Sequence, residues 1–339
     1  MVLQQAAEAL SMRFQQRYNK LFFLLALFGT LSGIYCIGAH ERSPTLRENS
    51  KKVIDPSINT HNARASFQAQ EGQAKLLFGE HVENWTPFHE YFSLYHSCES
   101  CPRVDKWEPY FNAYHRHFER FRGKSVTFVE VGVQSGGSAL MWRWYFGENL
   151  RYIGIDVNPN VKKFESDWAT IVLGDQASEN FWVDFKKQFP EPIDIFLDDG
   201  GHTMPQQLQT ITSAYSLVRP GGVFVCEDLE TSYVPEFGGN PDFRVSKSDT
   251  MVGFSKSFVD FVNGPSKYVN ADELEGLESE MVKMTDSVHF YSQIVFLEKS
   301  MSVREPKRRL KFGKAIPYSS QPPWDPPEPL SLDMLPELS

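Results

Sequence analysis

Apolar positions along the chain fall into three patterns. Leu21 to Ala39, LFFLLALFGTLSGIYCIGA, carries no charged side chain, and only Thr30 and Ser32 lend it polarity. Its length approaches the roughly 20 apolar residues that cross a bilayer. A buried core helix would need a polar side that this run lacks. A cleaved signal peptide is the other reading; Ile37-Gly38-Ala39 is a tolerable cleavage site, but signal apolar regions usually run about 7–15 residues. The segment is therefore read as one transmembrane helix.

From about Phe78 to Ser300 the pattern changes to short apolar runs separated by helical periodicity. The runs at Thr127–Val133, Tyr152–Asp156, Thr170–Leu173, Ile193–Asp198 and Gly222–Cys226 predict buried strands. Met204–Val218 predicts a helix, with Leu208, Ile211, Tyr215 and Val218 on one face behind a Thr203 cap and an early Pro205. Buried strands alternating with helices imply a doubly wound, Rossmann-like α/β sheet. Val288–Tyr291 and Ile294–Glu298 predict a terminal antiparallel hairpin.

The third pattern is polar. Residues 40–77 show little periodicity and read as a stem. Residues 301–339 begin with a basic run (Arg304, Lys307, Arg308, Arg309, Lys311, Lys314), read as a solvated flank. They end in a stretch from Pro317 holding 7 of the 21 prolines, which predicts a disordered tail. The organisation is thus an N-terminal segment 1–20, an anchor 21–39, a stem 40–77, one domain 78–300 and a tail 301–339.

Charge narrows the function. Lys and Arg number 34 against 43 Asp and Glu, a formal charge of −9. So acidic a chain lacks the basic face that nucleic acid demands. Around the anchor, Arg13, Arg17 and Lys20 lie before it and Arg42, Arg47, Lys51 and Lys52 after it. The nearest flank favours a cytoplasmic N-terminus, hence a single-pass protein of the secretory pathway (Golgi or ER) with a lumenal domain. Asn84-Trp85-Thr86 is a glycosylation sequon. Cys98 and Cys101 form a CxxC, half of a tetrahedral zinc site; they pair if the domain is lumenal and stay free thiols if it is cytosolic. The sequence does not set the oligomeric state.

Ligands of doubly wound sheets bind beyond the carboxyl ends of the strands, and five consecutive predicted strands end in acids. The first ends VEVGVQSGGS, where Gly132, Gly136 and Gly137 permit a tight turn, while Gln134 breaks the dinucleotide fingerprint. Glu130 within it suits the ammonium of an amino-acid-bearing cofactor. Asp156 ends the second strand, where a carboxylate can accept from ribose hydroxyls. Asp175 and Gln176 end the third, near an adenine edge. DDGGH, Asp198 to His202, ends the fourth, and Glu227-Asp228 the fifth. Adjacent strands lie about 5 Å apart, so Asp199, Glu227 and Asp228 crowd like charges that repel unless a cation joins them. Such hard oxygen donors suit Mg²⁺. His202, three residues beyond Asp199, suits a general base; capping the following helix is its alternative role.

Taken in order, DKWEPYFNAYHRHFERFR, VEVGVQSGGSALMW, IGIDVN, GDQ, LDDGGH, RPGGVFVCEDLETSY and VHFYSQIVFLEK resemble the Mg²⁺-dependent class I SAM methyltransferases typified by mycinamicin-type macrolide sugar O-methyltransferases. The resemblance covers roughly 105–300. It implies S-adenosyl-L-methionine (SAM) and Mg²⁺ as cofactors and Asp199, Glu227 and Asp228 as metal ligands. It implies His202 as base, and Glu130, Gly132, Ser135, Asp156, Asp175, Gln176 and Asp199 around SAM. The loop after Gly132 is shorter than the family's, and Gly201 replaces a common Ser. The implied reaction is methyl transfer to a hydroxyl of a sugar, glycan or related small molecule. The alternative is a membrane-tethered SAM-binding or interaction module without catalysis.

Overall fold

The computed structural model describes residues 85–244, 247–264, 276–304 and 310. The chain divides into units 1–64 and 65–339, and all described residues belong to the second. The apolar segment 21–39, the stem, Asn84 and nearly all of the tail lie outside the described residues. Among those described, no helix is long and apolar enough to cross a membrane.

Two helices, α1 (Pro87–Tyr95) and α2 (Tyr110–Phe118), precede a seven-stranded sheet. Its first five strands are β1 (Val126–Val131), β2 (Leu150–Asp156), β3 (Ala169–Leu173), β4 (Ile193–Asp198) and β5 (Val218–Cys226). Helix α3 (Gly137–Phe146) joins β1 to β2, α4 (Glu179–Gln188) joins β3 to β4, and α5 (Met204–Ala214) joins β4 to β5. After β5 come α6 (Met251–Asn263), α7 (Gly276–Met284), β6 (Thr285–Tyr291) and β7 (Ile294–Lys299). The spatial order is β3-β2-β1-β4-β5-β7-β6. The first five strands pair in parallel and β7 is antiparallel to both neighbours. The expected doubly wound sheet with a terminal hairpin is present. Its order reverses between β1 and β4, the switch point where such sheets open a cleft.

Strand alternation builds the core on both faces. Phe128, Tyr152, Leu197, Val225 and Phe296 point to the side of α1, α2 and α3, where they pack with Trp142 and Phe118. Val129, Ile153, Phe196, Phe224 and Leu297 point to the other, against Trp182, Ile211 and Phe258. Apolar residues on both faces explain the short continuous runs in the sequence.

Several boundaries differ from expectation for local reasons. The first strand stops at Val131 rather than Val133, because Gly132 turns at φ +95° and a Cβ there would collide with the Asp199 carbonyl. The helix expected over 204–218 ends at Ala214. One 3₁₀ turn, Tyr215–Leu217, follows it, and Val218 already begins β5. Its start was foreseen: Thr203 and Gln206 form a capping box, with Pro205 in the first turn. β6 starts at Thr285, before the predicted Val288, since its half-exposed residues show no apolar run. Arg304, expected in a solvated flank, donates instead to the carbonyls of Phe261, Val262 and Thr285.

Candidate active site

The strand ends open into one cleft of about 640 Å³. On the β1–β2 side its wall is a turn held from below. Gly132 N donates to the Ile155 carbonyl at 2.8 Å. Both Asp156 oxygens are oriented by backbone donors: Val133 N at 3.0 Å and Gln134 N at 2.9 Å on one, Asn158 N at 2.8 Å on the other. A carboxylate fixed this way keeps lone pairs for a ligand, because each oxygen can accept more than one bond.

Glu130 lies lower than the sequence suggested. It is fully buried and outside the cleft lining. Its carboxylate accepts from Ser138 Oγ at 2.8 Å, Trp142 Nε1 at 3.1 Å and Tyr152 Oη at 2.5 Å. Burial raises its pKa, against the lowering effects of Lys106 and these donors. Through Ser138 and Trp142 it fixes the start of α3. Gln176 lines the cleft but is committed: its amide nitrogen donates to Asp198 at 2.9 Å and Thr210 at 3.0 Å, and its oxygen accepts from Gly201 N at 2.8 Å. Asp175 is exposed and outside the lining; it accepts from Ala177 N at 2.9 Å in the turn before α4, whose N-cap is Ser178. Gly132, Ser135 and Asp156 all line the cleft.

At the β4–β5 side the acids converge as their register dictates, Asp198 pairing with Cys226. Asp199, Asp228 and His202 each direct one ligand atom to a common point, all within 4.8 Å of one another. His202 Nε2 lies 3.3 Å from Asp228 Oδ2 and 3.9 Å from Asp199 Oδ1. Its Nδ1 is buried and has no hydrogen-bond partner among the described residues. Glu227 lies outside that three-atom group but lines the same cleft, and it accepts from Tyr114 Oη and, beside Asp199, from the ammonium of Lys106. Burial and the Asp199 charge push the Glu227 pKa well above the carboxylate range, despite Lys106 and Tyr114. Asp199 is also raised, by burial opposed by Lys106. This is an oxygen-rich cluster built around positive charge, and a hard divalent cation fits it.

Three contributors escaped the sequence reading. Lys106 reaches the acids from the segment before α2, while Tyr110 donates to Asp228 at 2.9 Å and Tyr114 to Glu227. Of the three, only Tyr110 and Tyr114, four apart in DKWEPYFNAY, share a face of α2, and Lys106 precedes the helix.

Backbone strain points to the same place. The described non-glycine residues with φ between +47° and +66° are Gln134, His202, Asp228 and Gln293. The first three line the cleft, and the carbonyl of the fourth accepts from Tyr110. Such strain concentrates where function requires it. A second cluster, His117, His289 and Glu298, lies away from the cleft. There both His117 ring nitrogens are engaged, by Glu298 at 2.6 Å and Tyr291 at 2.9 Å. Cys98 and Cys101, left open by the sequence, are joined as a disulfide, and Cys226 is a buried free thiol.

Residues 129–229, from inside β1 to just past the acidic pair, match a family described as a methyltransferase domain. The chain carries a methyltransferase domain. Among curated relatives, an 8-demethyl-8-alpha-L-rhamnosyl tetracenomycin-C 2′-O-methyltransferase of Streptomyces olivaceus is 34% identical over 205 residues, 58% of this chain and 52% of the relative. The mycinamicin VI 2″-O-methyltransferase of Micromonospora griseorubida is 31% identical over 193 residues, 55% of this chain and 47% of the relative. The chain thus spans about half the length of the curated relatives it matches. Among solved structures, the MycE methyltransferase in complex with Mg, SAH and mycinamycin VI superposes with a TM-score of 0.54 at 26% identity. That match covers 72% of this chain and 62% of MycE. The methyltransferase domain therefore resembles O-methyltransferases named for sugar-bearing antibiotics, as the sequence motifs implied.

Proposed function

We propose that this chain is a SAM- and Mg²⁺-dependent O-methyltransferase acting on a hydroxyl of a sugar, glycan or related small molecule. The observation that carries the reading is the convergence of His202 with Asp199 and Asp228 at the end of a cleft whose other wall is the Gly132 turn and Asp156. When bound, SAM would supply an electrophilic methyl, and Mg²⁺, which Asp199 and Asp228 would hold with Glu227 beside them, would supply polarisation of the acceptor oxygen. The chain's own residues do the rest. Asp156 and the Gly132 turn hold the nucleoside end of the cofactor, and Glu130 positions the start of α3. Gln176 braces the DDGGH loop from beneath. His202 takes the proton of the acceptor hydroxyl at its imidazole, and Asp228 beside it stabilises the imidazolium that results. Names of the relatives support a sugar acceptor: the tetracenomycin enzyme acts on a rhamnosyl group.

The reading extends to location. An anchor over 21–39 and a lumenal domain make a single-pass protein of the secretory pathway, which the Cys98–Cys101 disulfide supports, since disulfides persist in oxidising compartments. A mobility shift on deglycosylation at Asn84 tests it; an unglycosylated Asn84 with free Cys98 and Cys101 in cells argues for the cytosol.

The test of the activity is incubation of the full chain with SAM, Mg²⁺ and a panel of glycosides and phenols, read by mass spectrometry. The expected result is one added methylene on a sugar-bearing acceptor, lost in EDTA and restored by Mg²⁺. Transfer to phenols alone overturns the acceptor class, and transfer unaffected by EDTA overturns the metal.

A further inference from the structure

The acidic end of the cleft holds a cation of the chain's own. The Lys106 side chain is 1% exposed, and its Nζ lies 2.5 Å from Asp199 Oδ2, 3.1 Å from Glu227 Oε2 and 3.7 Å from Glu130 Oε1. A buried ammonium is tolerated only when paired and hydrogen-bonded, and here three carboxylates surround it. The same holds in reverse: without Lys106, Glu227 and Glu130 would be buried acids with no cation beside them.

Lys106 arrives on a strap. Residues 103–107 all line the cleft, and Trp107 is 56% exposed at its mouth. The strap is tied at one end, where Tyr95 Oη donates to the Pro102 carbonyl at 2.5 Å. Near there it rests on the start of α3, where any side chain at Gly137 would collide with the Arg103 carbonyl. At the other end it runs into α2. Along its length the Lys106 ammonium is its polar link to the strand ends.

Lys106 holds both Glu227 oxygens and Asp199 Oδ2, while Asp199 Oδ1 faces His202. An ion at Asp199 Oδ1 that also took Glu227, at the roughly 2.1 Å reach of Mg²⁺, would share the Glu227 oxygens with the ammonium. Two cations cannot share that space without repulsion. We propose that Lys106 is a tethered counter-ion that keeps Asp199 and Glu227 together in the metal-free protein, and that an entering divalent cation displaces it and frees the strap 103–107 from the cleft. Metal entry and widening of the cleft mouth at Trp107 are then one event. The inference rests on the metal reading above.

The experiment titrates Mg²⁺ alone, by calorimetry, into the full chain and into Lys106→Met, and records Tm for each with and without saturating Mg²⁺. The expected result is Mg²⁺ binding tighter by about ten-fold in Lys106→Met, a coupling of ordinary size once the tethered competitor is gone. The variant's Tm should be lower without metal and approach the wild-type value with it. Equal or weaker Mg²⁺ affinity in the variant overturns the tethered counter-ion while leaving the proposed activity standing. Absence of Mg²⁺ binding to either protein overturns both. Should Lys106→Met not fold, amine acylation of the wild-type chain serves, with Lys106 read by peptide mass spectrometry. Protection without metal and modification with Mg²⁺ are expected; protection unchanged by Mg²⁺ contradicts the proposal.

Discussion

The two sides of the cleft are built by different means. On the β1–β3 side every polar group used is satisfied by the sheet's own backbone and neighbours: Asp156 by three N–H donors, Gln176 by Asp198, Thr210 and Gly201. On the β4–β5 side, Asp199, Glu227 and Asp228 crowd together, with His202 and Asp228 in left-handed conformations. They are held by Lys106, Tyr110 and Tyr114, contributed from outside the sheet. The first side is preorganised by hydrogen bonds. The second is organised by charge, and so responds to which cation is present. A cofactor that must seat in one pose suits the first, and a metal that must enter and position an acceptor suits the second.

Substitutions separate the two sides by what they change. The largest effect should come from His202→Ala, a loss of about 10²–10⁴-fold in turnover with SAM affinity unchanged. Equal loss of both, measured by kinetics and calorimetry, would remove its role as base. Gly132→Ala comes next. Its Cβ would collide with the Asp199 carbonyl from a backbone at φ +95°, so it should destabilise by about 2–5 kcal/mol in urea unfolding. It also forces the two sides apart, and unaltered SAM binding in a folded variant would show that the turn does not define the cofactor wall. Gln176→Leu should cost roughly 2–3 kcal/mol, since it leaves the Gly201 N–H unpaired within the protein and the buried Asp198 with fewer donors beside the Gly200 N–H. A stability change near zero would mean water replaces the brace.

The smallest effect tests how α2 is held while it presents Tyr110 and Tyr114. His117 and Arg120, on and just after α2, both reach Glu298 on β7. Burial alone would raise the Glu298 pKa, but the His117 hydrogen bond and the Arg120 charge outweigh it and hold it below the usual range. A depressed carboxyl contributes stability that is present above its unfolded pKa and lost as pH falls through the folded one. Glu298→Gln should therefore be less stable by about 1 kcal/mol at neutral pH, with the gap closing below about pH 4. A gap that persists in acid would assign it to packing.

The sheet was readable because strands buried on both faces write continuous apolar runs, and the runs of β2, β4 and β5 end at or just before acids that line the cleft, Asp156, Asp199 and Asp228. The helix at Met204 was readable from its cap. β6 was not, since its half-exposed residues leave no periodic mark, and Gly132 cut β1 short for a contact with Asp199 that lies far along the chain. At the site, Asp199, His202 and Asp228 meet as strand-end geometry suggests. Glu130 and Asp175 do not face the cleft, because pleat and burial set where a side chain points once its strand is known. Lys106, Tyr110 and Tyr114 belong to no strand, so an argument from strand ends had no means of finding them.

The most direct measurement is calorimetric titration of the full chain with SAM, with and without Mg²⁺, beside Asp156→Ala. The account predicts micromolar binding that Asp156→Ala abolishes. No heat under either condition, or binding indifferent to Asp156, would contradict it.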